Sequence, residues 1–167
     1  AQKEQRGLEM LLPLKSFLNH VLEYRDANTA VQNGDAQFKA ILAEELKEIA
    51  ETIPQLQALD AKYGAELKTT EPLNALLSTW NTLEKTTPNL SAQKAYEQHS
   101  KFIKYQVLPL FVTIANNSKL ILDPELDTFY LMDLVVNVLP SFTDVISQRR
   151  GQSVSVASKK QASADEK

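Results

Sequence analysis

Residues 14–46 read LKSFLNHVLEYRDANTAVQNGDAQFKAILAEEL, and the punctuation in the middle of that stretch decides the fold. Leu14, Leu18, Val21 and Leu22 recur every three or four residues, the spacing that lines one face of an α-helix. Asn33-Gly34-Asp35 then joins a Gly suited to positive φ to an Asp suited to capping a helix N-terminus. Beyond it Phe38, Leu42 and Leu46 resume the helical spacing. One helix therefore stops and another starts within three residues, which makes the two antiparallel neighbours.

Toward the N-terminus the stripe extends through Leu11 and Leu8, giving a first helix over residues 4–32 with a bend expected at Pro13. Toward the C-terminus Ile49, Ile53, Leu56 and Leu59 carry the second helix over 36–62, with Gly64 as the expected C-cap. Thr70-Glu71-Pro72 reads as a cap followed by an early-turn Pro, opening a short helix through Leu73, Leu76, Leu77, Trp80 and Leu83 that ends before Pro88. Ser91 caps a fourth segment through Tyr96, Phe102, Ile103, Leu110 and Ile114, with a kink expected at Pro109. Asp123-Pro124-Glu125 opens a fifth segment to about residue 150, perturbed at Pro140; the polar stretch 151–167 is either frayed or the start of a further helix. Three long amphipathic helices, a short one and another long one, joined by short loops, predict an all-α antiparallel four-helix bundle with an accessory helix, one domain over 1–167.

Composition agrees and narrows the function. Only 4 Gly occur in 167 residues, against many Ala, Leu, Glu, Lys and Gln, the balance of long helices. Twenty-one acidic and 18 basic residues are spread along the chain for a net charge of -3, so no basic face suited to nucleic acid is evident. The absence of Cys removes disulfides, thiolate metal sites and Cys nucleophiles. No apolar run approaches the ~20 residues of a membrane span, the longest being 108–115 with Pro109 and Thr113 inside it. No Gly-rich phosphate loop, Ser elbow or Glu-x-x-His pair is present, so no enzymatic activity is expected. His20 and His99 do not stand in the paired arrangement of a helical metal motif; a haem held between a His and Met10 or Met132 is formally conceivable, but solvated or core His residues are the expectation, with no cofactor or metal.

The first helix carries the informative anomaly: its seam Leu14, Leu18, Val21 continues as Arg25, Asn28 and Gln32. A guanidinium on a bundle seam is costly to desolvate unless paired, and its planar fork suits a carboxylate or another anion. In the fifth segment Asp127, Tyr130, Asp133 and Asn137 recur at helical spacing inside a run hydrophobic nearly all round, predicting a central, buried helix whose polar members need partners. Two readings stay open: an internal Arg25–Asp133 salt bridge completed by Tyr130 and Asn137, or a small-molecule pocket lined by Arg25, Asn28, Tyr130, Asp133 and Asn137, for an anionic ligand. Trp80 is either the lid of such a pocket or plain core.

Residues 117–133, NSKLILDPELDTFYLMD, with Val136-Asn137 and Leu139-Pro140 beyond, resemble the "SNLILDPDLDSYYLMD...LP" segment of bacterial sensor domains that precede methyl-accepting chemotaxis, histidine kinase or diguanylate cyclase outputs. Glu9, Leu12-Pro13-Leu14, Arg25 and Asn33-Gly34-Asp35 resemble the "EYLRPL...HRG...NGD" run of the same group, so the likeness spans about 4–150. The chain departs from that pattern at Tyr24, where His is usual, at Asp26, where Gly is usual, and at Phe129, where Tyr is common. The resemblance implies the periplasmic portion of an inner-membrane receptor, with flanking transmembrane helices outside this sequence, homodimerisation, and signalling by small helix displacements. By the same reading the 167 residues are a piece of a larger receptor.

Overall fold

The computed structural model describes residues 2–120, which form an all-α helical bundle. The fifth predicted segment, with Tyr130, Asp133 and Asn137, and the stretch 151–167 lie outside the described residues. In chain order the helices are α1 (Gln2–Gln32), α2 (Lys39–Leu67), α3 (Thr70–Thr86), α4 (Ala92–Phe102) and α5 (Leu108–Ser118), the last two joined through a π-helical turn, Ile103–Val107.

The turn between α1 and α2 forms as its residues require. Gly34 adopts φ +99°, the Asp35 amide donates to Ala30 O at 3.0 Å, and the Asp35 carboxylate accepts from the Gln37 amide at 3.1 Å. A single 3-10 turn, Ala36–Phe38, leads into α2. Across the pair, Arg6 meets Glu66, the Tyr63 hydroxyl donates to Glu9 at 2.9 Å and His20 meets Glu45 at 2.7 Å. These contacts step down α2 as they step up α1, so the two long helices run in opposite directions.

Among the described residues α1 is the central element. It supplies Met10, Leu14, Phe17, Leu18, Val21 and Leu22 to the core, against Ile49 and Leu56 of α2, Leu73, Leu76 and Trp80 of α3, Phe102 of α4 and Leu110 and Ile114 of α5. Gly7 lets α5 come close: a Cβ there would run into the Ser118 side chain. Pro13 does not interrupt α1, which continues unbroken through it.

Two expected boundaries shift. The C-cap predicted at Gly64 falls at Lys68, which takes φ +55° and donates its amide to Gly64 O. Gly64 serves a different purpose, because a Cβ at that position would collide with the side chains of Asp60 and Thr70. The cap predicted at Thr70 falls at Thr69, whose backbone accepts the Leu73 amide at 2.8 Å while its hydroxyl donates to Asp60 at 2.6 Å. Ser91 caps α4 as expected, its hydroxyl accepting from the Lys94 amide.

The kink expected at Pro109 takes the form of the π turn just before it. Proline lacks an N–H and its ring crowds the carbonyl four residues back. Widening the preceding turn relieves that crowding, and the Leu108 amide bonds Ile103 O, five residues back rather than four.

Candidate functional site

The seam of α1 does turn inward where its residues become polar. Residues 24–30 are all buried, among them Arg25 with 0% of its surface exposed and Asn28 with 5%. Burying a guanidinium demands hydrogen bonds and a counter-charge. Arg25 Nε donates to Asp26 Oδ1 at 3.1 Å, Nη1 donates to Ser100 Oγ of α4 at 3.2 Å, and the guanidinium lies 4.6 Å from the centre of the Tyr96 ring, a cation–π distance. The site is thus built from α1 on one side and α4 on the other.

Below Arg25 the polar seam runs into the loop after α3. Asn28 Nδ2 donates to Gln32 Oε1 at 3.2 Å, and Gln32 Nε2 donates to the carbonyls of Thr87 and Leu90 at 3.2 and 3.1 Å. Thr29 Oγ1 returns a bond to Arg25 O at 2.8 Å. These bonds satisfy carbonyls at the end of α3 and fix the corner Thr87–Leu90 against α1.

A cluster that sequence reasoning did not assemble adjoins Arg25. His99, with 0% of its surface exposed, lies with its ring centre 5.4 Å from that of Tyr24 and 6.1 Å from that of Trp80. Trp80 also meets Phe17, Tyr24 and Phe102 and belongs to the core cluster. Burial pushes the His99 pKa below its ordinary value, with the Arg25 charge adding to the effect and the bond to the Ala95 carbonyl opposing it. Burial also raises the Tyr24 pKa, opposed by a hydrogen bond with the Thr87 side chain. The signal for this cluster was present in the spacing Ala95, His99, Phe102, which puts His99 on the buried face of α4.

Of the five predicted site residues, Arg25 and Asn28 are brought onto one buried seam, while Tyr130, Asp133 and Asn137 lie outside the described residues. Asp26 and Ser100 were missed as partners. Neighbouring positions on a helix point about 100° apart, so Asp26 was not an obvious mate for Arg25; the Arg stem is long enough to fold sideways and reach it. Tyr24 and Asp26 both fall in this site, and Asp26 supplies a carboxylate against Arg25.

No family model, no curated protein and no solved structure matches this chain.

Proposed function

We propose that this chain is the extracytoplasmic ligand-sensing domain of a transmembrane bacterial signal-transduction receptor of the chemotaxis kind. In this reading a small molecule is recognised by Arg25 and Asn28 together with Tyr130, Asp133 and Asn137, and its binding shifts the balance between two packings of the bundle. The observation that carries the proposal is the polar seam in the C-terminal part of α1, where Arg25 and Asn28 are buried and Asn28 bonds the half-buried Gln32. A fold that needed only stability is served as well or better by apolar residues there, since replacing buried ion pairs by well-packed apolar side chains is often neutral or stabilising. The resemblance of residues 117–133 to sensor domains of chemotaxis receptors supplies the receptor context. Because Asp26 already neutralises Arg25, a carboxylate ligand would share the guanidinium with a protein carboxylate, and a ligand carrying both charges suits the pair better than a simple anion.

Thermal-shift screening of small metabolites against the wild type, Arg25→Ala and Asn28→Ala tests the reading. A stabilising compound whose effect disappears in both variants is expected. A compound that stabilises all three chains equally would remove the α1 seam from the site.

A second reading, a bundle that docks a protein partner and has no small-molecule site, is favoured by the apolar side chains left at the surface. Leu12 is 71% exposed and Tyr105 66%. If no compound in the screen shifts the melting temperature and Leu12→Lys abolishes capture of a defined partner, that reading replaces the first.

A further inference from the structure

The corner between α3 and α4 holds a second device, independent of any ligand. His99 Nδ1 lies 2.7 Å from Ala95 O. A carbonyl only accepts, so Nδ1 carries the proton and, in the neutral ring, Nε2 is the bare acceptor. Nε2 faces Thr87 Oγ1 at 3.5 Å, but the single Thr87 hydroxyl proton is already committed to Leu83 O at 2.6 Å. The neutral ring therefore packs against Tyr24, Trp80 and Thr87 with no donor to Nε2 among the described residues. A proton arriving at Nε2 would find a Thr87 lone pair to bond, yet would place a positive charge in a ring with no exposed surface, next to Arg25.

The same Thr87 sits where three elements meet. Its carbonyl accepts from Gln32 of α1, its hydroxyl bonds the last turn of α3, and its side chain touches the His99 ring of α4. Among the described residues, the titratable and charged groups around this point are Tyr24, Arg25 and Asp26 on α1, Glu84 on α3, which acts on Tyr24, and Tyr96 on α4 beneath Arg25. Of the groups that change charge between pH 5 and 8 in their ordinary state, histidine is the one present here.

We propose that His99 is an acid-responsive latch: as a neutral ring it holds the Thr87–Leu90 corner against the C-terminal half of α1, and taking up a proton releases that corner while the rest of the bundle stays folded. Burial and the Arg25 charge keep the ring neutral until the pH is below the usual histidine range, so release belongs to acid conditions.

The chain carries its own reporters, a single Trp, which lies against His99, and two His, of which His20 is at the α1–α2 surface. Trp80 emission, far-ultraviolet circular dichroism and the NMR shift of the His99 ring proton are followed together from pH 8 to 4. The expected result is a one-proton change in Trp80 emission with a midpoint below about 6.5, coincident with His99 ring protonation and preceding any loss of helicity. Hydrogen-exchange protection of the Leu90 and Ala95 amides should fall at least tenfold across the same transition, while that of the Asp35 amide at the α1–α2 turn is unchanged. His99→Gln should abolish the emission change and His20→Gln should leave it in place. The proposal is overturned if emission and helicity are lost together, if emission stays flat while the His99 ring titrates, or if the change persists in His99→Gln. Should His99→Gln fail to fold, the wild-type comparison decides: separate midpoints for the ring and for Trp80 sink the latch, and coincident ones sustain it.

Discussion

The two ends of α1 are buried by different means. In its first half, Met10, Leu14, Phe17 and Leu18 face the core, and the charged groups stay at the rim, where Arg6 meets Glu66 and Glu9 accepts from Tyr63. In its second half Arg25, Asp26, Asn28 and Thr29 are themselves inside. The apolar half draws its stability from contact area, which is additive and forgiving of lost rim contacts. The polar half is conditional, because each buried group is tolerable only while its partners remain in place.

The sharpest test of the apolar half is Phe17→Ala, which should cost about 3–5 kcal/mol of unfolding free energy in urea titrations. A loss under 1 kcal/mol would mean that Phe17 is not the core anchor described here. For the polar half, Arg25→Ala removes a buried guanidinium bonded to Asp26 and Ser100 and should also cost about 3–5 kcal/mol, whereas Arg25→Met combined with Asp26→Asn should recover most of that loss. If the double variant is as unstable as the single one, the seam is not a conditional pair and the contrast between the two halves fails. At Gly7, where a Cβ would collide with the Ser118 side chain, Gly7→Val should destabilise by about 1–3 kcal/mol through overpacking, read as a lowered melting temperature.

Acidity separates the halves without mutation. A histidine whose folded pKa is depressed contributes stability that is fully present above its unfolded value, about 6.5, and is lost as the pH falls through the folded value. Urea midpoints should therefore decline below that pH in the wild type and decline less in a His99→Gln chain. The smallest effects belong to the rim: Tyr63→Phe should barely move the melting temperature, and Arg6→Ala should cost at most about 1 kcal/mol, as partly exposed ion pairs do. A larger loss at either position would show that the rim clasps carry the α1–α2 pairing.

The helical class and the first turn were readable because they depend on local chemistry. The stripe from Leu14 to Leu22 and the Gly34 and Asp35 pair specify a stop and a start with no reference to the rest of the chain. The inward turn of Arg25 and Asn28 was legible for the same reason, being a matter of phase along one helix. Partners were not. Ser100, 75 positions away, meets Arg25 only because α4 packs beside α1, and nothing local marks it. Gly64 misled because a Gly near a helix end usually signals positive φ; here the requirement is space for Asp60 and Thr70, a tertiary fact. Asp26 was overlooked because helix geometry sets adjacent residues apart, a rule that long Arg stems can evade.

The widened turn before Pro109 also explains a numerical oddity in the sequence. Ala95, His99, Ile103, Val107, Phe111 and Ala115 are all buried and stand at strict intervals of four. On a regular α-helix each interval of four advances the side chain by about 40° beyond a full turn, so such a ladder would wind well away from any flat partner within a few steps. One residue spent on a wider coil at 103–107 turns the ladder back into line. A relative of this chain that lacked a proline near position 109 would be expected to drop one residue nearby, and an alignment that forced the two together without a gap would pair inward side chains with outward ones from that point on.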